Sequence, residues 1–302
     1  MNPRGLQNER IINPAVKNKR PYLQGAMAEM QEIVLYWVKK SPEPIMTDLP
    51  IHTPSHPAVT FVGAGPGAAE HLTLGALRAL QMADVVIHDR LVGDEVMALI
   101  PAHVTRVDVG KEGFGPSVGQ STINATLVAH AQTGRKVVRL KGGDCGIFGR
   151  LDEEMEALES AGLSFRIQPG LTSATVAAST IGQSLTRRGR NASLRILTGH
   201  DMAGFAEQDW RGLAGKGEVA AIYMGKKSAR FIQGRLLMHG ADAATPVAVV
   251  ENVSRANQRI LSATLATLPE AVSACDGPAV ILFGLAPRQA LDVLPALKEA
   301  RA

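Results

Sequence analysis

The 302-residue chain has few cysteines and few aromatic residues. Its two cysteines, Cys145 and Cys275, have no CxxC partner and no neighbouring His, so neither a disulfide framework nor a zinc site has support. Aromatic residues make up 4% of the chain, too few to build stacking platforms for single-stranded nucleic acid, and the basic residues are scattered. Long hydrophobic runs are missing as well. The run at residues 33–38 is far short of a bilayer span, and no signal-peptide pattern is visible. These absences argue for a cytoplasmic protein with neither nucleic acid nor membrane as a partner, and with no metal. The net charge of +4 is modest and suits an anionic small molecule.

Apolar residues are 45% and charged residues 20%, an ordinary globular balance, and the length suits two medium domains. Residues 1–56 differ from the rest. They read as a flexible N-terminal extension rich in proline, with one helix over 24–39 in which Ala26, Met30, Ile33 and Val34 recur near helical spacing. Deleting residues 1–50 is expected to leave activity intact.

From Ala58 the pattern alternates. Strands are predicted at 59–62, 84–88, 104–109, 137–140 and 165–168, and helices over 72–82, 121–132 and 152–160 and from Thr172 onward. This is the signature of a largely parallel α/β sheet. The second half predicts strands at 195–198, 219–223, 247–251, 259–262 and 280–283, with helices over 228–238 and 287–300. The strands at 247–251 and 259–262 leave no room for a helix between them, so they must pair antiparallel. The reading is two unlike α/β domains, residues 57–172 and 173–302, joined near 170–185.

Glycine-rich turns follow the short strands: VGAGPG at 62–67, VGK at 109–111, LKGGD at 140–144 and PGLTSA at 169–174. Repeated glycines at strand ends imply a backbone that clears room for a ligand. Gly63, Gly65 and Ala68 satisfy a dinucleotide fingerprint, with Asp84 or Asp89 as the acid that would hold a ribose. Pro66 sits inside that loop and removes an N–H donor from any pyrophosphate. A phosphate-free adenosyl ligand fits better, and a nicotinamide-dependent oxidoreductase is kept as a distant alternative.

Further motifs follow in order: DVVIHDRLV at 84–92, RLKGGD at 139–144, FGR at 148–150 with EE at 153–154, LTRR at 185–188, TGH at 198–200, YMG at 223–225 and VEN at 250–252. Over residues 58–286 this ordered set resembles the uroporphyrinogen-III C-methyltransferases of the tetrapyrrole methylase family. The resemblance implies two α/β domains with S-adenosylmethionine in the cleft between them, S-adenosylhomocysteine as product, no need of a metal, and a homodimer. It places Pro66, Gly142, Gly143, Asp144, Ile147, Thr172, Ser173, Met224 and Val253 at the cofactor. It gives Asp89 and Lys111 proton-handling roles and Arg150, Arg187 and Arg188 the substrate carboxylates, which a guanidinium fork binds bidentately. The implied reaction is methylation of uroporphyrinogen III at C-2 and C-7 to give precorrin-2, towards sirohaem or cobalamin. Plainer roles stand beside these: Thr172 as a helix N-cap, Asp144 as a turn-closing residue, Met224 as core, and Cys145 as a small buried thiol.

The chain departs from the family pattern at several points. Cys145–Gly146 replace Pro–Phe, Leu151–Asp152 replace two glycines, Arg187 stands for histidine and Gly189 for aspartate, and Val253 replaces a glycine. The segment after Lys111 also differs. Most of these changes fall around the substrate. They keep open a later corrin-precursor methyltransferase and a non-catalytic cofactor-binding homologue.

Overall fold

The structure is a computed structural model in which residues 57–110, 119–202 and 204–288 are described. The extension at 1–56, Lys111 and the helix expected at 287–300 (apart from residues 287–288) lie outside the described residues.

The first sheet is built from β1 (Val59–Gly63), β2 (Val85–His88), β3 (Thr105–Asp108), β4 (Val137–Lys141) and β5 (Phe165–Gln168). Their order is β3-β2-β4-β1-β5, and every pairing is parallel. β1 and β4 lie inside the sheet and are buried along their whole length, as expected for strands covered on both faces. One face packs on α1 (Leu74–Gln81) and α2 (Asp94–Ala98), with Val62, Leu80, Val86, Val96, Val138 and Leu140 in its core. The other face packs on α3 (Gln120–Gln132) and α4 (Leu151–Ser160) through Phe61, Ile87, Leu127, Val137 and Leu158. Strand alternation puts Val138 and Leu140 on the first face and Val137, Arg139 and Lys141 on the second.

A short segment leads from β5 to α5 (Ser173–Thr180), which packs on the second sheet. That sheet comprises β6 (Arg195–Thr198), β7 (Ala220–Tyr223), β8 (Pro246–Glu251), β9 (Arg259–Thr264) and β10 (Ala279–Phe283), in the order β6-β7-β10-β8-β9. Among its neighbouring strands only β6 and β7 pair in parallel. β10 pairs antiparallel with β7 and β8, and β8 antiparallel with β9, as the short 251–259 connection requires. Its second face carries α6 (Trp210–Leu213), α7 (Ala229–Met238) and α8 (Leu268–Ser273), packed through Trp210, Ile232, Leu236, Leu268 and Val272.

The predicted strands and the helices over 121–132, 152–160 and 228–238 occur within one or two residues of their expected ends. The helix expected over 72–82 is α1, preceded by a 3-10 turn at Ala69–His71 and starting where Thr73 caps it by accepting from the Ala76 amide at 3.1 Å. The short helices α2, α6 and α8 were not expected. Each is of six residues or fewer, too short for a 3.6-residue periodicity to show.

Candidate active site

The strands of the first sheet end together, and the loops that follow them interlock. Gly65 and Gly143, after β1 and β4, exchange backbone hydrogen bonds of 3.1 and 2.7 Å. The backbones of Gly63 and Gly170 approach so closely that a Cβ on Gly63 would lie 2.5 Å from the Gly170 nitrogen. The space cleared at these two glycines is thus taken by a neighbouring loop and not by a ligand. Gly143 differs: its φ of +71° suits glycine, and its Cβ position opens into empty space.

Asp144 joins two of these loops. Its Oδ1 accepts from the Gly146 amide at 2.8 Å and its Oδ2 from the Gly170 amide at 2.9 Å. Both oxygens therefore hold backbone in place. Gly142 and Ile147 flank it, and Pro66 is buried in the loop after β1.

Loops of the second sheet close on the first. The Ala68 amide donates to Ser254 Oγ at 3.0 Å, and Arg255 Nη2 donates to the Leu91 carbonyl at 2.7 Å. Thr172 has the backbone of a helix N-cap but makes no capping bond; its hydroxyl pairs with the Tyr223 hydroxyl, which also accepts from the Ala174 amide at 2.9 Å. Phe148 packs against the Tyr223 ring at 5.5 Å. Met224 is exposed, not core. Val253 is buried in the cluster that holds Val250 and Leu285, so its main chain is the part left for a ligand.

Backbone strain gathers here. Among the described residues, the non-glycine residues with positive φ are Phe148, Arg150, Met224, Asn252 and Ser254, at 50° to 59°. All lie in the loops after β4, β7 and β8. Left-handed conformations in such residues persist only where surrounding structure imposes them, and they concentrate at functional sites.

Beneath the loops lies a buried ionic network that the sequence reading did not single out. Glu154 of α4 is fully buried. It accepts from Arg139 Nε and Nη2 at 3.1 Å each and from Lys141 Nζ at 2.7 Å. Arg139 reaches on to Asp89 Oδ1 at 3.3 Å through both Nη1 and Nη2. Burial by itself would lower the Arg139 pKa, but the Asp89 and Glu154 carboxylates outweigh it and hold the guanidinium above its ordinary value. Asp89 Oδ2 has no partner among the described residues, and the side chain is partly exposed. The sequence signal was present in RLKGGD and EE: residues 139 and 141 share one strand face, and 154 sits on the helix that covers it.

Arg150 forms a fork with Glu153, at 2.7 Å from Nε and 2.6 Å from Nη2. That bond lowers the Glu153 pKa and raises that of Arg150. Cys145 is fully buried, and burial pushes its thiol up to about 12, despite the opposing pull of Lys141. No group of His, Cys, Asp or Glu suited to a metal ion occurs among the described residues.

The structure does not bring Arg187 and Arg188 to this loop cluster. They lie in the turn before β6, at the amino end of the parallel β6–β7 pair, whereas Met224 follows the carboxyl end of β7. The remaining described candidates, from Pro66 to Val253, meet at the strand ends.

Parallel α/β loops converging at carboxyl strand ends, met by strained loops of a second, mixed sheet, form the kind of crevice in which open α/β sheets bind small ligands. The chain belongs to the Tetrapyrrole (Corrin/Porphyrin) Methylases, whose family description it matches over residues 58–269. It is 46% identical over 226 residues to a siroheme synthase of Edwardsiella ictaluri, an alignment covering 75% of this chain and 49% of that protein. A siroheme synthase of Escherichia coli is 44% identical over the same length, also with 49% of its length covered. The chain thus spans about half the length of these curated relatives. Among solved structures it resembles the uroporphyrin-III C-methyl transferase of Thermus thermophilus complexed with S-adenyl homocysteine, at 35% identity and a TM-score of 0.65, covering 78% of this chain and 99% of that one. A cobalt precorrin-4 methyltransferase shares the fold at 24% identity, with a TM-score of 0.67 over 75% of this chain and 94% of that one.

Proposed function

We propose that this protein is an S-adenosylmethionine-dependent methyltransferase that converts uroporphyrinogen III to precorrin-2. The observation that carries this reading is the meeting of the loops after β1, β4, β5, β7 and β8 in a family member that aligns with almost the whole of a uroporphyrin-III C-methyl transferase.

The residues present fit the cofactor. Gly143 opens on free space, Arg255 Nε is buried without a partner among the described residues, and Met224 and Phe148, in the loops after β7 and β4, offer exposed apolar surface. In this reading Pro66, Gly142, Gly143, Ile147, Thr172, Ser173, Met224 and the Val253 main chain hold S-adenosylmethionine, and Asp144 keeps two of the loops in register. When bound, the cofactor supplies a methyl carbon made electrophilic by its sulfonium.

The chain's own part is alignment, exclusion of water and proton handling. Arg139 fixes Asp89 through Oδ1, leaving Oδ2 to take the proton that a methylated ring carbon must lose. Lys111 is assigned a second role in proton handling. Arg150 serves the substrate carboxylates by exchanging its Glu153 partner for them. We also propose that the protein works in the cytoplasm as a homodimer.

Anaerobic incubation with uroporphyrinogen III and S-adenosylmethionine, followed by mass spectrometry of the oxidised products, tests the reading. A gain of two methyl groups is expected. No gain, with S-adenosylhomocysteine still bound, would redirect the search to later corrin precursors.

A further inference from the structure

The loop after β8 is tightly held. Asn252 and Ser254, on either side of Val253, have φ of 50° and 59°. The Arg255 amide donates to the Asn252 carbonyl at 2.9 Å, the Ser254 amide to Gln258 Oε1 at 2.7 Å, and the Gln258 amide to the Arg255 carbonyl at 2.9 Å. A segment bonded to itself in this way moves as a unit, so a shift of the Val253 main chain is also a shift of Arg255.

Arg255 carries that unit onto the first sheet. Its stem crosses Gly67, where a Cβ would lie 2.6 Å from Arg255 Cγ. Its Nη2 then donates to the Leu91 carbonyl at 2.7 Å, two residues past Asp89. The segment after β2 is also packed against two other loops. A Cβ on Gly142 would lie 3.0 Å from Leu91 Cβ, and a Cβ on Gly93 would lie 2.1 Å from the Gly67 carbonyl oxygen. The stretch that carries Asp89 is thus met by the loops after β1, β4 and β8.

The tie to the loop after β8 is one hydrogen bond. No carboxylate pairs with Arg255 among the described residues, and its Nε is buried without a partner among them. A buried donor left unpaired is costly. The guanidinium is therefore held at Leu91 by the loop that carries it, not by a full set of bonds of its own. Such a contact strengthens when a ligand fixes that loop.

We propose that Arg255 is a positioning residue that couples cofactor binding to the segment bearing Asp89. The coupling rests on the function proposed above, in which the Val253 main chain holds S-adenosylmethionine and Asp89 takes a proton. A cofactor that fixes the 252–258 loop fixes Arg255 Nη2 against the Leu91 carbonyl, so the base comes to its place together with the methyl donor.

Hydrogen exchange of the full chain, read by mass spectrometry with and without saturating S-adenosylhomocysteine, tests the coupling. In the wild type the ligand should slow exchange over residues 89–97 about tenfold, the scale of one charge-assisted hydrogen bond. Arg255→Ala should abolish that slowing and keep the slowing over residues 142–148 and 223–225, which also reports that the variant is folded. Because coupling is reciprocal, its S-adenosylhomocysteine affinity in a calorimetric titration should fall by the same factor. Ser254→Ala is the control. It removes the acceptor of the Ala68 amide, another tie between the same loops, but leaves the Leu91 bond, so the slowing over 89–97 should survive. Slowing over 89–97 that persists in Arg255→Ala, or that is lost equally in Ser254→Ala, would overturn the proposal. A wild type that does not bind S-adenosylhomocysteine would overturn the cofactor reading and the coupling with it. The choice of substrate is decided separately, by methyl transfer in the wild type.

Discussion

Glu154 is the residue on which the electrostatics of the first sheet turn. A fully buried carboxylate is tolerated because Arg139 and Lys141 both reach it and Gln120 Nε2 donates to it at 3.3 Å. Replacing one partner strands the others, a loss of about 3–5 kcal/mol for a buried pair. Glu154→Gln should therefore lower the denaturation midpoint sharply, and chemical unfolding monitored by circular dichroism measures it. Cys145 gives a second residue-scale expectation. With its thiol pushed up to about 12 by burial, it should resist alkylation at pH 8 in the native protein and react once the chain is unfolded. Asp108 gives a third. The Gly110 amide, and after it Arg90, hold its carboxyl below the ordinary aspartate range. A depressed folded pKa contributes stability that is present above the unfolded value and lost as pH falls through the folded one. Asp108→Asn should accordingly flatten the acid limb of the stability profile, measured by thermal melts from neutral pH downward.

At the scale of elements, single polar side chains hold the segments around the strand ends together. The Tyr223 hydroxyl ties the end of β7 to the start of α5 by holding both Thr172 and the Ala174 amide. Tyr223→Phe keeps the ring against Phe148 and removes only the hydroxyl. The cost should be about 1–3 kcal/mol for an amide left without its partner, with weaker S-adenosylhomocysteine binding in a calorimetric titration. Asp144 plays the same part between the loops after β4 and β5. Asp144→Ala should weaken that binding even though both carboxylate oxygens face backbone amides. Unchanged affinity would remove it from the site.

For the whole molecule, the division of labour follows topology. Strands that run parallel bring their carboxyl ends, and so their loops, to one side, where the strained positions of the second sheet close over them. The turn with three arginines occupies the amino end of the β6–β7 pair. The family match begins at residue 58, so removing residues 1–50 should leave methyl transfer unchanged. A folded truncate without activity in the mass-spectrometric assay would give the extension a role.

The amino-acid sequence by itself determined the order of elements, because buried parallel strands announce themselves as short apolar runs and glycine turns mark their ends. It also determined the family, because ordered motifs at fixed spacing carry that information without any knowledge of contacts. The short helices α2, α6 and α8 escaped it, being shorter than the period that would reveal them. Only the tertiary structure decided what the motif residues touch. The Asp144 oxygens accept from the Gly146 and Gly170 amides, and the Thr172 hydroxyl pairs with Tyr223, not with its own helix. Arg139, Lys141 and Glu154 closed into one network, and Arg187 and Arg188 came to lie at the opposite end of the β6–β7 pair from Met224. The physical reason is the same in each case. A pattern along the chain reports backbone conformation and burial, which are local, whereas a hydrogen-bond partner or an ion pair depends on which distant strand folding brings alongside.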